Sequence, residues 1–382
     1  MDFSTRELER YSRHLSLPEF GIEGQRALKR GSVLLVGAGG LGSPAALYLA
    51  AAGVGRIGIV ESDTVELSNL QRQVLYTSEQ CGQSKARLAA ERLRALNPEI
   101  EVVVHEQRLE AANALELMTP WDVILDGTDN FPTRYLVNDC CVLLGKPNCY
   151  GSIFRFDGQA SVFCHDGGPC YRCVFPAPPP PEQAPSCAEG GVLGVLPALI
   201  GSIQACEAIK LLAGIGDSLS GRLLLLDALR MDFTTLRLRR DPACPACGER
   251  PVILSPTDLT DHCAVPGPAK GADTMPAWGE MDVVTLESRR KQGDTLLLLD
   301  IREDWEREIC TIPGALWIPM GQVESRLGDL PASAEIVVQC RSGVRSRSIC
   351  SLLAAHGYDR LWNLSGGILA WGRAHDPEMP TY

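Results

Sequence analysis

The apolar run Ser32-Val-Leu-Leu-Val36 passes directly into Gly37-Ala-Gly39-Gly40-Leu-Gly42 and then into an Ala/Leu-rich stretch, residues 44–52, closed by Gly53. A second apolar run, Arg56-Ile-Gly-Ile-Val60, ends at Glu61. Strand, glycine turn, helix and strand in that order specify a βαβ unit, which commits the chain to a parallel sheet. The alternation continues with a buried strand at 121–125 and a helical pattern after Asn130. Residues 149–175 alternate as antiparallel strands, 192–213 read as an apolar helix, and 222–238 return to strands. From Pro276 a second αβ alternation begins, with strands at 296–300 and 335–339 and a helix from about Val344.

Two stretches punctuate this order. Residues 176–185 are proline-rich, too stiff and too poor in donors for a helix or a central strand. Residues 251–275 mix Pro, Gly, Asp and Thr without periodicity and read as an interdomain linker. The expected fold is therefore α/β: a Rossmann-like mixed sheet over residues 1–250, then a smaller α/β domain over 276–382. A chain of 382 residues is long enough for both cores. Its formal charge of −11 argues against nucleic-acid and anionic-membrane partners. No run approaches the ~18 apolar residues of a membrane span, and the first residues lack the basic-then-apolar order of a signal peptide. The expected location is the cytoplasm, where fifteen cysteines read as metal ligands and catalytic thiols rather than disulfides.

The glycine loop lets backbone N–H groups and a helix N-terminus approach an anion. Glu61, at the end of the next strand, is placed for ribose hydroxyls. On these features alone a dinucleotide dehydrogenase and an ATP enzyme stand level. The following segment, Asp63-Thr-Val-Glu-Leu-Ser68-Asn69-Leu70-Gln71-Arg72-Gln73, separates them. Arg72, and Lys85 on the helical pattern after Ser84, supply two cations suited to a triphosphate, which a nicotinamide enzyme does not need. Asp126-Gly-Thr-Asp129-Asn130 then falls at a strand's carboxyl end, with Asp129 suited to a magnesium ion on phosphates.

At these residues the sequence resembles the MoeB/ThiF adenylyltransferase family, relatives of the ubiquitin-activating enzymes. The resemblance rests on Arg10-Tyr-Ser-Arg13-His14, the glycine loop, Ser68-Asn-Leu-Gln-Arg72, Lys85 and Asp126-Gly-Thr-Asp-Asn130, and it covers most of residues 1–250. It implies that the terminal carboxylate of a ubiquitin-like carrier ending in Gly-Gly attacks ATP, giving an acyl adenylate. The nucleotide set it implies is Gly37, Gly39, Gly40, Gly42, Glu61, Asp63, Ser68, Asn69, Leu70, Gln71, Arg72, Lys85, Asp129 and Asn130, with Mg2+ on Asp129. Arg72, Lys85 and Asp129 take catalytic roles. The resemblance implies that Arg13 reaches a neighbouring subunit's site, and so a homodimer; on its own residues it reads rather as part of a solvated helix face. Glu61 stands where many members carry Asp.

Cys170-Tyr-Arg-Cys173 and Cys244-Pro-Ala-Cys247 are two Cys-x-x-Cys knuckles that together complete a tetrahedral zinc site if the fold brings them close. The family resemblance implies a structural Zn2+ there; a redox dithiol is the competing reading. For Cys187, after the proline run, the resemblance implies a catalytic thiol that forms a covalent link to the carrier or resolves an acyl disulfide; the plainer reading is a buried or idle thiol.

Cys340-Arg341-Ser342-Gly343-Val344-Arg345-Ser346 lies between a strand and a helix, where successive N–H groups form an anion nest. Arg341 and Arg345 are expected to add positive charge that stabilises a persulfide on Cys340. The loop resembles the active site of rhodanese-type sulfurtransferases, together with Asp300-Ile-Arg302-Glu-Asp-Trp305, Ile312-Pro-Gly-Ala-Leu-Trp-Ile-Pro319 and Asn363-Leu-Ser-Gly-Gly-Ile368. A phosphatase reading competes, but Arg345 falls one residue short of Cys-x5-Arg. The joint expectation is a carrier-protein adenylyltransferase and sulfurtransferase fed by thiosulfate or a desulfurase persulfide, for molybdopterin or a related sulfur-containing cofactor. The alternative is an activating enzyme for ubiquitin-like conjugation, with the rhodanese-like end as a docking or regulatory module.

Overall fold

The computed structural model describes residues 3–178, 191–258, 278–331 and 333–380. The chain forms two compact units, Met1–Ala264 and Val265–Tyr382. Most of the expected linker lies outside the described residues.

The first unit is built on one eight-stranded sheet: β1 Ser32–Val36, β2 Arg56–Val60, β3 Glu101–His105, β4 Val123–Asp126, β5 Asn148–Phe154, β6 Asp157–Phe163, β7 Arg222–Asp227 and β8 Asp232–Arg237. The strand order is β3-β2-β1-β4-β5-β6-β7-β8. The first five strands pair in parallel, and β5 to β8 form an antiparallel meander. The chain winds outward from β1 through β2 to β3, then returns to lay β4 on the other side of β1. That reversal opens a crevice at the carboxyl ends of β1 and β4, where Val36 pairs with Asp126. The glycine loop leaves one of those ends and the segment after Asp126 leaves the other.

All five β1 residues are buried, as a central parallel strand requires. Leu35 joins the core beneath helices Gly42–Ala52, Lys85–Leu96 and Leu196–Ala213, with Leu49, Leu93 and Ile200. Its neighbour Leu34 points the other way, to Trp121, Leu136 and Cys140 beneath helices Ala114–Met118 and Phe131–Leu144. The expectation that no stretch reaches membrane-span length needs amending. Leu196–Ala213 is, among the described residues, one helix long and apolar enough by length and composition. Here it packs on helix Gly42–Ala52 and on β4 to β6. Gln204, almost fully buried within it, donates to the carbonyls of Asp126 (2.7 Å) and Cys149 (2.9 Å), the behaviour of a core helix.

The strand pattern expected over 149–175 holds only to Phe163. The chain then turns through Cys164 and Asp166, both at positive φ (58° and 49°), into the short helix Tyr171–Val174. Cys170 is the N-cap of that helix and Cys173 lies within it. β3 escaped the sequence reading because it begins at an exposed Glu101 and ends at His105, leaving only three apolar residues between polar ends.

The second unit has a five-stranded sheet of β9 Gly279–Met281, β10 Leu296–Asp300, β11 Leu316–Trp317, β12 Glu335–Gln339 and β13 Leu361–Leu364. The order is β11-β10-β12-β13-β9, parallel throughout. Helices Val283–Lys291, Asp304–Ile309, Val344–Ala355 and Gly367–His375 complete it. β12 is the middle strand, and Cys340 follows its last residue.

Two glycines of the first loop are fixed by geometry. Gly37 sits at φ +93°, and a Cβ on Gly42 would lie 2.1 Å from the Gly37 carbonyl oxygen. Gly42→Ala must therefore push the helix off the loop. It is expected to cost about 1–3 kcal/mol, read as a lower thermal transition of the first unit, and to weaken nucleotide binding in the same preparation.

Candidate functional site

A cleft of about 490 Å3 lies in the crevice between β1 and β4. Gly37, Gly39, Gly40, Glu61, Asp63, Arg72, Lys85, Asp129 and Asn130 of the expected set all line it. Glu61 braces the cleft mouth: one carboxylate oxygen accepts the Ala38 N–H (3.0 Å), the other the N–H groups of Ser62 (2.8 Å) and Asp63 (2.9 Å). The oxygen facing Ala38 keeps lone-pair capacity for a hydroxyl donor. Tyr76 donates to the Ala38 carbonyl at 2.8 Å, supporting the glycine loop from behind.

Lys85 opens helix Lys85–Leu96, whose N-cap is Ser84. It is only 5% exposed, and its ammonium lies 3.5 Å from the Asp63 carboxylate. A cation at a helix N-terminus opposes the macrodipole, so its position favours the arrival of further negative charge in the cleft. Arg72 donates to the Ser68 carbonyl at 3.1 Å, which leaves most of its donors available. Asp129 is exposed at the cleft, with no ion pair among the described residues. Its free carboxylate suits a hard, oxygen-liganded cation on phosphates.

Other expected residues have different positions. Asn130 accepts the Thr133 N–H (2.9 Å) as the N-cap of helix Phe131–Leu144. Gly42 is buried against the loop rather than lining the cleft. Ser68, Leu70 and Gln71 lie outside the lining, and buried Asn69 donates to Ser68 at 3.4 Å. Arg13 is exposed on the short helix Ser12–Leu15, also outside the lining. Cys187 lies outside the described residues.

Sequence reasoning passed over Gln73, Thr128 and Arg134, which also line the cleft. Arg134 is 6% exposed, donates to the Thr128 carbonyl (3.2 Å) and lies 3.9 Å from the Asp126 carboxylate. Burial pushes the Asp126 carboxyl up, and Arg134 and Thr128 oppose that shift. Nothing in the local sequence marks Arg134, because its partner belongs to the strand before its own helix.

The two cysteine knuckles meet. The four sulfur atoms of Cys170, Cys173, Cys244 and Cys247 lie within 4.8 Å of one another. The closest approaches are 3.3 Å for Cys173–Cys247 and 3.6 Å for Cys170–Cys244. Four thiolates around one ion with ~2.3 Å bonds stand about 3.8 Å apart, so the cluster fits a tetrahedral metal site. The Asp241 N–H points at the Cys173 sulfur (3.4 Å), a second-layer bond of the kind that supports thiolate ligands. Burial pushes the Cys173 thiol up to about 11 and Cys170 higher still. Metal loading must therefore displace protons.

In the second unit Cys340 is fully buried at the start of its loop. Its sulfur receives the Gly343 N–H at 3.1 Å and stands 3.3 Å from the Ser346 hydroxyl. Arg341 and Ser342 are half-buried and Val344 is exposed. Arg345, expected to add positive charge beside the sulfur, is instead clasped by Glu306 through two bonds of 2.6 and 2.8 Å. Glu306 was not singled out from sequence, and it is 2% exposed. Arg302 of the 300–305 motif is wholly buried and fork-bonded to Asp300 at 2.8 and 3.0 Å. The 363–368 motif braces the loop from the other side: Ile368 N–H donates to the Cys340 carbonyl (2.9 Å), and a Cβ on Gly367 would lie 2.4 Å from that oxygen.

A family model described as "ThiF family" matches residues 11–246, which contain the whole cleft and the first sheet. The chain belongs to the ThiF family. A second model, "Rhodanese-like domain", matches residues 282–374 of this ThiF-family chain. "Probable adenylyltransferase/sulfurtransferase MoeZ" of Mycobacterium tuberculosis is 46% identical, over 99% of this chain and 96% of its own. "Adenylyltransferase and sulfurtransferase MOCS3" of Sus scrofa is 45% identical, over 98% of this chain and 88% of its own. "Sulfur carrier protein adenylyltransferase" of Thermus thermophilus is 55% identical across its full length and 69% of this chain. The crystal structure of E. coli MccB with ATP shares the fold of the first unit at a TM-score of 0.55 and 22% identity, covering 64% of this chain and 75% of that one.

The metal reading has a direct check. Cys244→Ser is expected to lower bound metal, measured by elemental analysis, from about one ion per chain to a small fraction, and to lower the thermal transition of the first unit. Full metal content in that variant would show that the four sulfurs do not act as one site.

Proposed function

We propose that this chain adenylates the C-terminal glycine of a ubiquitin-like sulfur-carrier protein ending in Gly-Gly and then converts it to a thiocarboxylate. The observation that carries this reading is a single chain holding both a ThiF cleft with Arg72, Lys85 and Asp129 on its wall and a loop-held Cys340, in a sequence that runs the length of relatives named for both activities.

In the first step a carboxylate oxygen of the carrier attacks the α-phosphorus of ATP, and pyrophosphate leaves. Gly37, Gly39 and Gly40 admit the phosphates, Glu61 bonds the ribose, and Arg72 and Lys85 neutralise the developing charge. Asp129 would hold Mg2+, which supplies further charge neutralisation on the phosphates when bound. Arg13, exposed and outside its own cleft, serves the site of a second copy in a homodimer. The four-cysteine cluster takes Zn2+ in a structural role, since four thiolates leave no open position.

In the second step a sulfane sulfur from thiosulfate or a desulfurase persulfide is transferred to Cys340. The terminal sulfur attacks the acyl carbon and AMP leaves, because phosphate is a far better leaving group than the original carboxylate oxygen. A second thiol, Cys187 in this reading, attacks the Cys340 sulfur and releases the thiocarboxylate. The resulting disulfide is reopened by an external thiol reductant. The product feeds molybdopterin or a related sulfur-containing cofactor, and the reaction takes place in the cytoplasm.

Cys340→Ala is expected to abolish thiocarboxylate, seen in the carrier's intact mass as loss of the sulfur-for-oxygen exchange, while ATP–pyrophosphate exchange continues. Asp129→Ala is expected to stop that exchange and leave thiosulfate:cyanide sulfur transfer intact. Loss of both activities in either variant overturns the division of labour. A carrier that accumulates as a thioester without sulfur would favour conjugation instead.

A further inference from the structure

A hydrogen-bonded chain runs from a surface ion pair to the Cys340 sulfur, and its direction is fixed from the surface end. Glu280 of β9 accepts from Arg347 (2.9 Å) on one oxygen and from Asn363 Nδ2 (2.9 Å) and Ser365 Oγ (2.6 Å) on the other. The carboxylate is held below its ordinary range: burial opposes this, and the bonds from Ser365, Asn363 and Arg347 prevail. Ionised, it can only accept, so Asn363 must turn its NH2 toward Glu280 and its Oδ1 inward. Ser346 then has one partner for its proton, Asn363 Oδ1 at 2.5 Å. Its oxygen therefore meets the Cys340 sulfur, 3.3 Å away, as an acceptor. Asn363 and Ser346 are both fully buried, so water does not compete for these bonds.

We propose that Glu280 is a positioning residue for the sulfur-transfer site, setting the polarity of the Ser346–Cys340 hydrogen bond through Asn363. The proposal rests on the reading of Cys340 as the sulfur carrier. In this arrangement the Ser346 hydroxyl proton is turned away from the Cys340 sulfur, toward Asn363, while the Gly343 N–H points at that sulfur. Glu280 thus keeps the Ser346 hydroxyl from donating to the sulfur.

Glu280→Gln reverses the chain. The Arg347 guanidinium claims the new carbonyl oxygen, leaving the NH2 to face Asn363. Asn363 then flips, its Nδ2 donates to Ser346, and the freed hydroxyl proton turns toward the sulfur. A hydrogen bond to the charged form favours that form.

The test is the pH dependence of iodoacetamide labelling of Cys340 in the full-length protein, resolved from the other cysteines by peptide mass spectrometry. Glu280→Gln is expected to displace the Cys340 profile downward by about one pH unit, while Glu280→Asp and Arg347→Ala keep the original profile. Asp300, Arg302, Glu306, Arg307, Glu335, Arg341, Arg345, Cys350, Arg373 and His375, charged and titratable groups on the loop and the elements around it, are unchanged throughout. Losing the negative charge of Glu280 also favours an anion through space, and Ser346→Ala separates the two effects. In that background Glu280→Gln is expected to keep only the smaller, through-space part of the displacement. A displacement undiminished without the Ser346 hydroxyl, or a profile unmoved in Glu280→Gln, overturns the proposal. Labelling does not require sulfur transfer, so a chain inactive toward thiosulfate would count against the sulfurtransferase reading and leave this result standing.

Discussion

The arrangement of the first unit depends on β1 pairing in parallel with β2 on one side and β4 on the other. Because that pairing reverses the winding of the sheet, two chain segments must diverge at the carboxyl ends of β1 and β4, and a crevice results. Its contents follow from contact at close range. The Gly37 carbonyl leaves no room for a side chain on Gly42, so the helix starts tight against the strand end and aims its first N–H groups into the opening. Lys85, from a different helix, brings a cation to the same place against the local dipole, with Asp63 as its counter-charge. Asp63 is largely exposed and offsets the charge only in part, so the arrangement is most stable when an anionic ligand is present.

The second unit solves a related problem with different means. A sulfur must be held at a strand end without being surrendered to the core. The loop achieves this with the backbone N–H of Gly343, while the arginines beside it are largely committed elsewhere: Arg345 to Glu306, Arg302 to Asp300. The framework segments around residues 300–306 and 363–368 act as walls that fix the loop's shape, the first through the buried pairs Arg302–Asp300 and Arg345–Glu306, the second through the Ile368 N–H on the Cys340 carbonyl.

Much of this was legible in the sequence, for physical reasons. The glycine loop could be read because strand, turn and helix are contiguous and each glycine answers a local steric demand. The four zinc-type cysteines could be paired because Cys-x-x-Cys fixes two donors by itself, and only one junction was left to the fold. What could not be read depends on partners far apart in the chain. Arg345 looked like a charge for the sulfur until helix Asp304–Ile309 placed Glu306 on it. Glu280 carried no local signal, because its meaning arises through Asn363, eighty-three residues later. Asn130 looked like a ligand residue, and its side chain is used to cap the helix that follows. The strand pattern past Phe163 failed for a related reason, since apolar alternation cannot register the positive-φ turn at Cys164 and Asp166.

The cysteine cluster closes a loop of roughly seventy residues between Cys173 and Cys244, and that loop contains helix Leu196–Ala213. Pro197, at the start of this helix, is the neighbour a side chain on Gly40 would meet, at 3.2 Å. An ion bound there would work as a removable cross-link, and closing a loop of this length is worth on the order of 4 kcal/mol in the chain-entropy account. Metal supply and nucleotide chemistry would then be linked quantities: without the ion the tether on the helix that backs the phosphate loop would loosen, although none of the four cysteines comes from that loop.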